Sequence, residues 1–334
     1  MKRIAPNNFI IILFLTVGNI LSAWSQEAVR LVIREGVDSQ RLKTKIESHV
    51  SELLTDINHS YAENLIFLQL PGNVMSPEAN HDLSKLWSNE HFRCIDEEIV
   101  EPLLTTRDGY QLRGIPLSIK HPDSDSLSYQ EAVLNFDKEG VITSFFYAIS
   151  PEIYSNAMKG IMQNSRNEVT DIEERMMILN YVEHFRTAYN QKDLNFLRQV
   201  FSEDALIITG KVIKVARSEV NPNGVRIRYT QQTKEQYINN LHRAFQSNSY
   251  IKVSFDNVLI VEHPTIKNIY GVTVHQKWNS SRYSDEGYVF MVWDFRKPDA
   301  PQIHVRTWQP EFVDKSRGQR LSPNDVFTLG DFDL

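Results

Sequence analysis

Between residues 287 and 311 the chain reads "GYVFMVWDFRKPDAPQIHVRTWQPE", and its apolar positions recur at a period of two on both faces of a strand pair. Val289, Met291, Trp293 and Phe295 share one face of the first strand, and Tyr288, Phe290, Val292 and Asp294 share the other. After a Pro-containing turn, Ile303, Val305 and Thr307 oppose His304, Arg306 and Trp308. Just upstream, Tyr270, Val272, Val274, Gln276 and Trp278 alternate with Thr273, His275 and Lys277. Helices can cover one row of rings. The second row needs a cover of its own, because an exposed patch of this size is a liability.

The rest of the pattern predicts helices and strands in separate blocks. A strand is expected over 27–33 and a helix over 39–60, where Leu42, Ile46, Val50, Leu53, Leu54 and Ile57 follow helical spacing. "ENLIFLQLPG" reads as a short strand stopped by Pro71 and Gly72, and "HDLSKLW" as a short helix. Strands follow near 94–101, 110–120, 128–137 and 140–149, the last two joined by the hairpin signal "FDKEGV". Residues 155–170 are polar and without period. They mark a linker between an N-terminal domain, 26–154, and a second domain, 171–311, with a polar tail over 312–334.

The second domain opens with a helix that aligns Ile178, Val182, Phe185 and Tyr189. A shorter helix in "QKDLNFLRQVF", a strand in "SEDALIITGKVIKVA" and a third helix capped by Thr233 come next. Four strands near 250–261, 267–278, 286–296 and 302–309 complete it. This order predicts an α+β fold with an antiparallel sheet.

Three phrases within this order resemble the nuclear-transport-factor-2-like superfamily, which includes the polyketide cyclase SnoaL and ketosteroid isomerase. They are "YVEHFRTAYNQKDLNFLRQVFSEDALI", "TKEQYINNLHRAF" and the pair "GYVFMVWDF" with "IHVRTWQPE". The resemblance implies a cone-shaped curved sheet packed on helices, with a concave face that lines a pocket where there is one. Its convex face would meet another domain or a second copy of the chain, giving a homodimer. The first half carries echoes of the second: "KTKIESHVSELLTDINHSYAE" beside "ERMMILNYVEHFRTAYNQKD", and "EAVLNFDKEGVITSFFYAI" beside "YVFMVWDFRKPDAPQIHVRTW". It is read either as a degenerate copy of the same fold or as an unrelated small α+β domain.

On this reading Val289, Met291, Trp293, Ile303 and Val305 form the concave core. Phe185, Tyr189, Gln276, Trp278 and Trp293 line the pocket, and Tyr288, Phe290, Val292, His304 and Trp308 form the convex contact face. Enzymes of the superfamily place an acid–base group inside the cone, and Asp204, Tyr181 and Tyr189 are the candidates for it here. Asp294, His275 and His304 fall on the convex side, where the histidines suit a pH-sensitive contact. No His-Glu-x-x-His, Gly-x-Ser-x-Gly, phosphate loop or Cys-x-x-Cys occurs.

Composition narrows the partners. The chain has 334 residues, 41% hydrophobic, with a formal charge of −6, so a basic nucleic-acid-binding face is not expected. Cys94 is the lone cysteine; "HFRC" has no second ligand pair, and neither a disulfide, a metal nor a cofactor is expected. The start, "MKRIAPNNFIIILFLTVGNILSAWSQ", has the form of a signal peptide over residues 1–25, with Lys2 and Arg3, an apolar stretch from Phe9 to Leu21, and small Ala23 and Ser25 before a cut ahead of Gln26. Its apolar run is shorter than the roughly 20 residues of a membrane span. These features predict an exported protein, periplasmic or secreted, with no transmembrane segment after cleavage. The functional expectation is a non-catalytic scaffold or a ligand- or protein-binding protein of the bacterial cell envelope. The alternative is an isomerase, cyclase or lyase acting on a small hydrophobic substrate. The tail, ending "DVFTLGDFDL", is expected to fray or dock loosely, or else to add a strand to a partner's sheet edge.

Overall fold

Ser39 starts the first long helix by accepting the backbone N–H of Leu42, and the helix then buries Ile46, Val50, Leu53, Leu54 and Ile57 along one stripe. The computed structural model describes residues 28–155, 172–219, 223–298 and 300–332; the signal-like residues 1–25 and residues 156–170 of the expected linker lie outside them. The described residues divide into two units, one within Met1–His121 and Ser126–Phe145, the other within Pro122–Asp125 and Phe146–Leu334. Both are α+β.

The first unit runs β1 Arg30–Ile33, α1 Gln40–Ala62, α2 Pro77–Asn89, β2 Phe92–Cys94, β3 Glu98–Glu101, β4 Leu103–Thr105, β5 Gly109–Lys120 and β6 Leu127–Asp137 into β7 Ile142–Tyr147. Its main sheet has the order β2-β5-β6-β7, and β1 pairs with β3 in parallel. The strand expected in "ENLIFLQLPG" is absent. Those residues take an irregular path that leaves Ile66 and Phe67 75% and 83% exposed. The segment lacks a neighbouring strand; Leu65 spends its carbonyl on the Trp87 indole N–H instead. Cys94 is buried, and burial pushes its thiol up to about 11, which fits packing rather than reactivity.

The second unit contains α3 Ile172–Asn190, α4 Leu194–Val200, β8 Phe201–Lys214, β9 Val225–Gln232, α5 Lys234–Ser247, β10 Ile251–Glu262, β11 Ile269–Ser280, β12 Ser284–Asp294 and β13 Gln302–Pro310. The sheet order is β10-β11-β12-β13-β8-β9, with β13 and β8 parallel and every other pair antiparallel. Short polar residues fix how the helices meet it. Asn190, the last residue of α3, accepts from Val253 N–H at 2.6 Å and donates to Val253 C=O at 3.3 Å. Lys192 then adopts a positive φ of 54°, and Asp193 caps α4 by accepting the N–H groups of Asn195 and Phe196. Thr233 and Gln236 form a reciprocal capping box on α5. The helix-facing, inner side of the sheet holds Tyr270, Val272, Val274, Val289, Met291, Trp293 and Ile303 in one core with Phe185, Tyr189 and Phe245.

The two units share a connection pattern. Asn58 of α1 grips Cys94 of β2 through both backbone groups, at 2.7 and 3.1 Å, as Asn190 grips Val253 of β10. Each gripped strand is the outer strand of an antiparallel run, β2-β5-β6-β7, with β4 also on β5, and β10-β11-β12-β13. Where β8 lies parallel to β13, the first unit keeps a single parallel bridge from Met75 to Ile142 of β7. The two units thus have this asparagine clamp in common.

The outer face of the second sheet is covered by the chain's own tail. After a small hairpin, β14 Phe312–Asp314 with β15 Gln319–Arg320, the chain turns back across the sheet. Phe327, Leu329 and Phe332 pack on Phe290, Val292, Ile269 and Val305. Phe332 stacks on Phe290 with centroids 5.7 Å apart, and the Gln309 amide holds the tail through Asp325 C=O and Phe327 N–H. A Cβ on Gly271 would lie 2.6 Å from Leu329 Cγ, so the strand carries glycine where the tail crosses. This corrects two expectations. The tail docks on its own sheet instead of fraying or adding to a partner's sheet edge, and Phe290 and Val292, expected on a contact face, lie beneath it.

Two outcomes follow from this packing. Half-burial of two large side chains gives Leu329→Ala with Phe332→Ala a cost of about 2 kcal/mol in urea unfolding. Deleting residues after Leu321 should cost more and raise binding of a hydrophobic dye, whereas unchanged stability in both variants would mean that the tail is not held. The second outcome concerns His184 on α3, whose ring meets Phe146 edge-on at 4.1 Å while Nε2 has no hydrogen-bond partner. Burial lowers its pKa from 6.5 to about 4. The unfolded chain therefore takes up this proton first, and stability is full above pH 6.5 and falls as pH drops from 6.5 to about 4. The loss should be about 2–3 kcal/mol. His184→Leu should flatten that slope; a slope left intact would show that the imidazole titrates normally.

Candidate ligand-binding site

The site begins with one extra residue. Val292 pairs with Val305 and Trp293 with Ile303, so His304 has no partner on β12 and forms a bulge. Ile303 faces the helices, but beyond the bulge the alternation is inverted. Arg306 and Trp308 pair with Met291 and Val289 and turn inward, while Val305 turns outward with Phe290 and Val292. Simple alternation placed Val305 inside and Trp308 on the contact face; the bulge reverses both.

Arg306 thereby enters the inner face as a cation with only 5% of its surface exposed. Its guanidinium lies 5.0 Å from the ring centroid of Tyr237 on α5, a cation–π arrangement. Burial works against its charge, yet Tyr237, Tyr189 and Asp285 outweigh that and hold the group protonated. Its Nε has no hydrogen-bond partner. The hydroxyls of Tyr189 and Tyr237 bond to each other at 2.7 Å. Burial, then the Tyr237 hydroxyl, push the Tyr189 phenol well above its usual range, so Tyr189 is a neutral donor and acceptor.

Asp285 stands across from Trp278 at the end of β12, with its carboxylate accepting from Tyr283 Oη at 2.8 Å. Burial raises its pKa against the pull of Tyr283 and Arg306. Trp278 and Trp308 are half-buried against the core, and the Trp278 ring lies 5.8 Å from that of Tyr189. The result is a charged and hydroxyl-bearing end of an aromatic interior: one cation, one carboxyl with a raised pKa, two phenols and two indoles.

The sequence-derived candidates distribute unevenly over this arrangement. Tyr189 and Trp278 belong to it, and Gln276 is buried two pairs away on the same face, opposite Gly287. Phe185 and Trp293 are fully buried and pack ring to ring at 6.0 Å, so they are core rather than a ligand-facing wall. Tyr181 leans on Trp293 and Phe295 at about the same distances. Asp204 does not reach the interior: its side chain is 89% exposed, 4.0 Å from His304 Nδ1 on the outer side. His304 Nε2 in turn meets Asp294 at 3.1 Å. Burial favours a protonated Asp294, but hydrogen bonds from Arg296 and His304 overcome it and hold the carboxyl at about 2. Tyr288 sits beside His275, with centroids 5.1 Å apart. Arg306, Tyr237 and Asp285 were not singled out from the sequence, because strict alternation put Arg306 outside and nothing else tied the three together.

No family model matches the sequence, and no curated protein matches it. Solved structures are similar to it over part of its length. A nuclear-transport-factor-2-like protein from Cytophaga hutchinsonii has 17% identity and a TM-score of 0.30, covering 41% of this chain and 97% of its own. A ketosteroid isomerase-like protein from Shewanella frigidimarina has 12% identity and a TM-score of 0.28, covering 40% and 94%. Naphthalene 1,2-dioxygenase with indole bound has 8% identity and a TM-score of 0.34, covering 48% and 88%. The order of helices and strands in the second unit is the one on which the resemblance to the nuclear-transport-factor-2-like superfamily rests.

Tyr189→Phe tests the hydroxyl pair. It removes one buried hydrogen bond and leaves Tyr237 unsatisfied, a loss of about 1–2 kcal/mol in chemical denaturation. A neutral effect would mean that water replaces the Tyr189 hydroxyl and that the site is wet.

Proposed function

We propose that the second unit binds a small, largely apolar molecule through a carbonyl or carboxylate oxygen, and that the chain serves as an exported binding protein of the bacterial envelope. The observation that carries this reading is Arg306, a nearly fully buried cation with an unpartnered Nε, beside half-buried Trp278 and Trp308. A buried guanidinium strongly favours an anionic or carbonyl acceptor, and indole walls favour a flat apolar body. Export is supported by the signal-like start of the sequence. No helix among the described residues is long and apolar enough to cross a membrane.

One observation favours a second reading, in which the site turns its ligand over. Asp285 has a raised pKa and stands within the influence of Arg306, as an acid–base group beside a carbonyl-polarising cation would. In that case Asp285 accepts a proton from the carbon next to the carbonyl and returns it elsewhere, while Arg306 and Tyr189 stabilise the enolate oxygen. Binding is preferred, since most of the aromatic interior, Phe185 and Trp293 included, is closed packing.

The test uses the chain recovered from the envelope fraction or medium, with its first residue read by mass spectrometry and expected at Gln26. Tryptophan fluorescence is followed during titration with 2-naphthoate and with its neutral relative 2-acetylnaphthalene. Both should quench, the carboxylate binding more tightly. Arg306→Met should weaken 2-naphthoate 10–100-fold, the worth of a charge-assisted hydrogen bond, and leave the ketone less affected. Absence of quenching by either probe, or equal binding to Arg306→Met, overturns the proposal.

A further inference from the structure

Antiparallel pairing gathers a second group of ligating side chains on the outer face, away from Arg306. His275 of β11 and Glu286 of β12 lie on neighbouring strands, and Asp256 of β10 lies on the other side of His275. One ligand atom from each of the three falls within 4.8 Å of the others. His275 Nδ1 is 3.6 Å from Asp256 Oδ2, while Nε2 is 3.7 Å from Glu286 Oε1 and 3.9 Å from Glu311 Oε2. Glu311 is brought there by its own backbone, whose N–H donates to Glu286 C=O at 3.0 Å. Its side chain is only 6% exposed, and Arg320 occupies Oε1 at 2.6 Å, which leaves Oε2 facing the imidazole.

We propose that His275, Glu286 and Glu311 bind a divalent first-row metal ion of the Zn2+ type, with Asp256 orienting the imidazole from behind. The spacing fits. Two donors about 2.1 Å from a tetrahedral ion are about 3.4 Å apart, slightly less than the two Nε2–carboxylate distances here. A carboxylate on the far nitrogen of a ligating histidine fixes its tautomer, and Asp256 stands where that partner is needed. One imidazole with two carboxylates favours Zn2+ over Ca2+ or Mg2+, which take oxygen alone. The competitor on the page is Lys277, whose Nζ is 2.5 Å from Asp256 and 3.5 Å from Glu286. A metal ion takes Glu286 from it and leaves Lys277 with Asp256.

The experiment is calorimetric titration of the metal-stripped full chain with Zn2+ alone, repeated with Ca2+ and Mg2+. One Zn2+ per chain is expected, weakened at least 10-fold in Glu286→Gln and in His275→Ala, with far-ultraviolet circular dichroism confirming that each variant is folded. Lys277→Gln removes the competing cation and should tighten Zn2+ binding several-fold, a gain that adding His275→Ala should abolish, whereas a loose carboxylate cluster would keep it. Absorption of the Co2+ form should show nitrogen–oxygen coordination that is lost in His275→Ala. No saturable Zn2+ binding, binding unmoved by both ligand variants, or Ca2+ binding as tight as Zn2+ would each overturn the site.

Discussion

Between Ile303 and Val305, β13 has one residue more than the strand beside it, and every side chain beyond that point owes its face to this insertion. Without it, Val305 would enter the core and Arg306 would stand on the outer surface. With it, the outer row becomes continuous and apolar, Val305 beside Val292 and Phe290, and the inner row ends in Arg306 and Trp308. The bulge therefore makes two surfaces at once: an outer one that needs the tail, and an inner one that carries a charge. A strand's period of two makes such a single-residue shift decisive.

Burying Arg306 is costly unless its charge is met, and the residues that meet it come from three directions. Tyr237 arrives from α5, Tyr189 from α3, and Asp285 from the far end of β12. Each helix must hold its ring at one height over the sheet. The Asn190 amide, bonded to both backbone groups of Val253, fixes α3 only one residue after Tyr189, and the capping box at Thr233 starts α5 one turn before Tyr237. The local signals that begin and end these helices are thus also what positions the hydroxyls. Those contacts still leave Nε without an acceptor, so the arrangement is not a fully satisfied buried ion pair.

Much of the fold was legible because periodicity reports burial directly. The helix around Phe185 and Tyr189, the four-strand ending and the inward row Val289, Met291 and Trp293 all follow from spacing. What periodicity does not report is an interruption in its own rhythm. "IHVRTW" looks the same whether or not His304 bulges, so Arg306 and Trp308 were placed on the wrong side, and with Arg306 misplaced nothing linked Tyr237 to Asp285. The tail was missed for a related reason. Its Phe327, Leu329 and Phe332 are too irregularly spaced to show a face, since they sit in turns rather than in a strand. The apolar run "LIFLQL" misled in the opposite sense, because hydrophobicity without a partner strand does not make a strand.

The likeness between the units extends beyond the similarity of their phrases to one shared contact. Asn58 and Asn190 are polar residues at the buried ends of otherwise apolar stripes, a position that costs free energy unless every amide group is used. Both are used the same way, closing two hydrogen bonds on one residue of the outer strand of the antiparallel run. The clamp fixes both the height and the rotation of the helix over its sheet, which packing of interchangeable aliphatic side chains does less sharply. The first unit has this clamp and a single parallel bridge, Met75–Ile142, while the second has the full β8–β13 pairing. In the second unit, strand β8 flanks β13 and holds Ile207 opposite Arg306. Losing that strand removes one wall of any such site. In both units the helix clamp sets the framework, and in the second the added strands β8 and β9 extend the sheet beside Arg306.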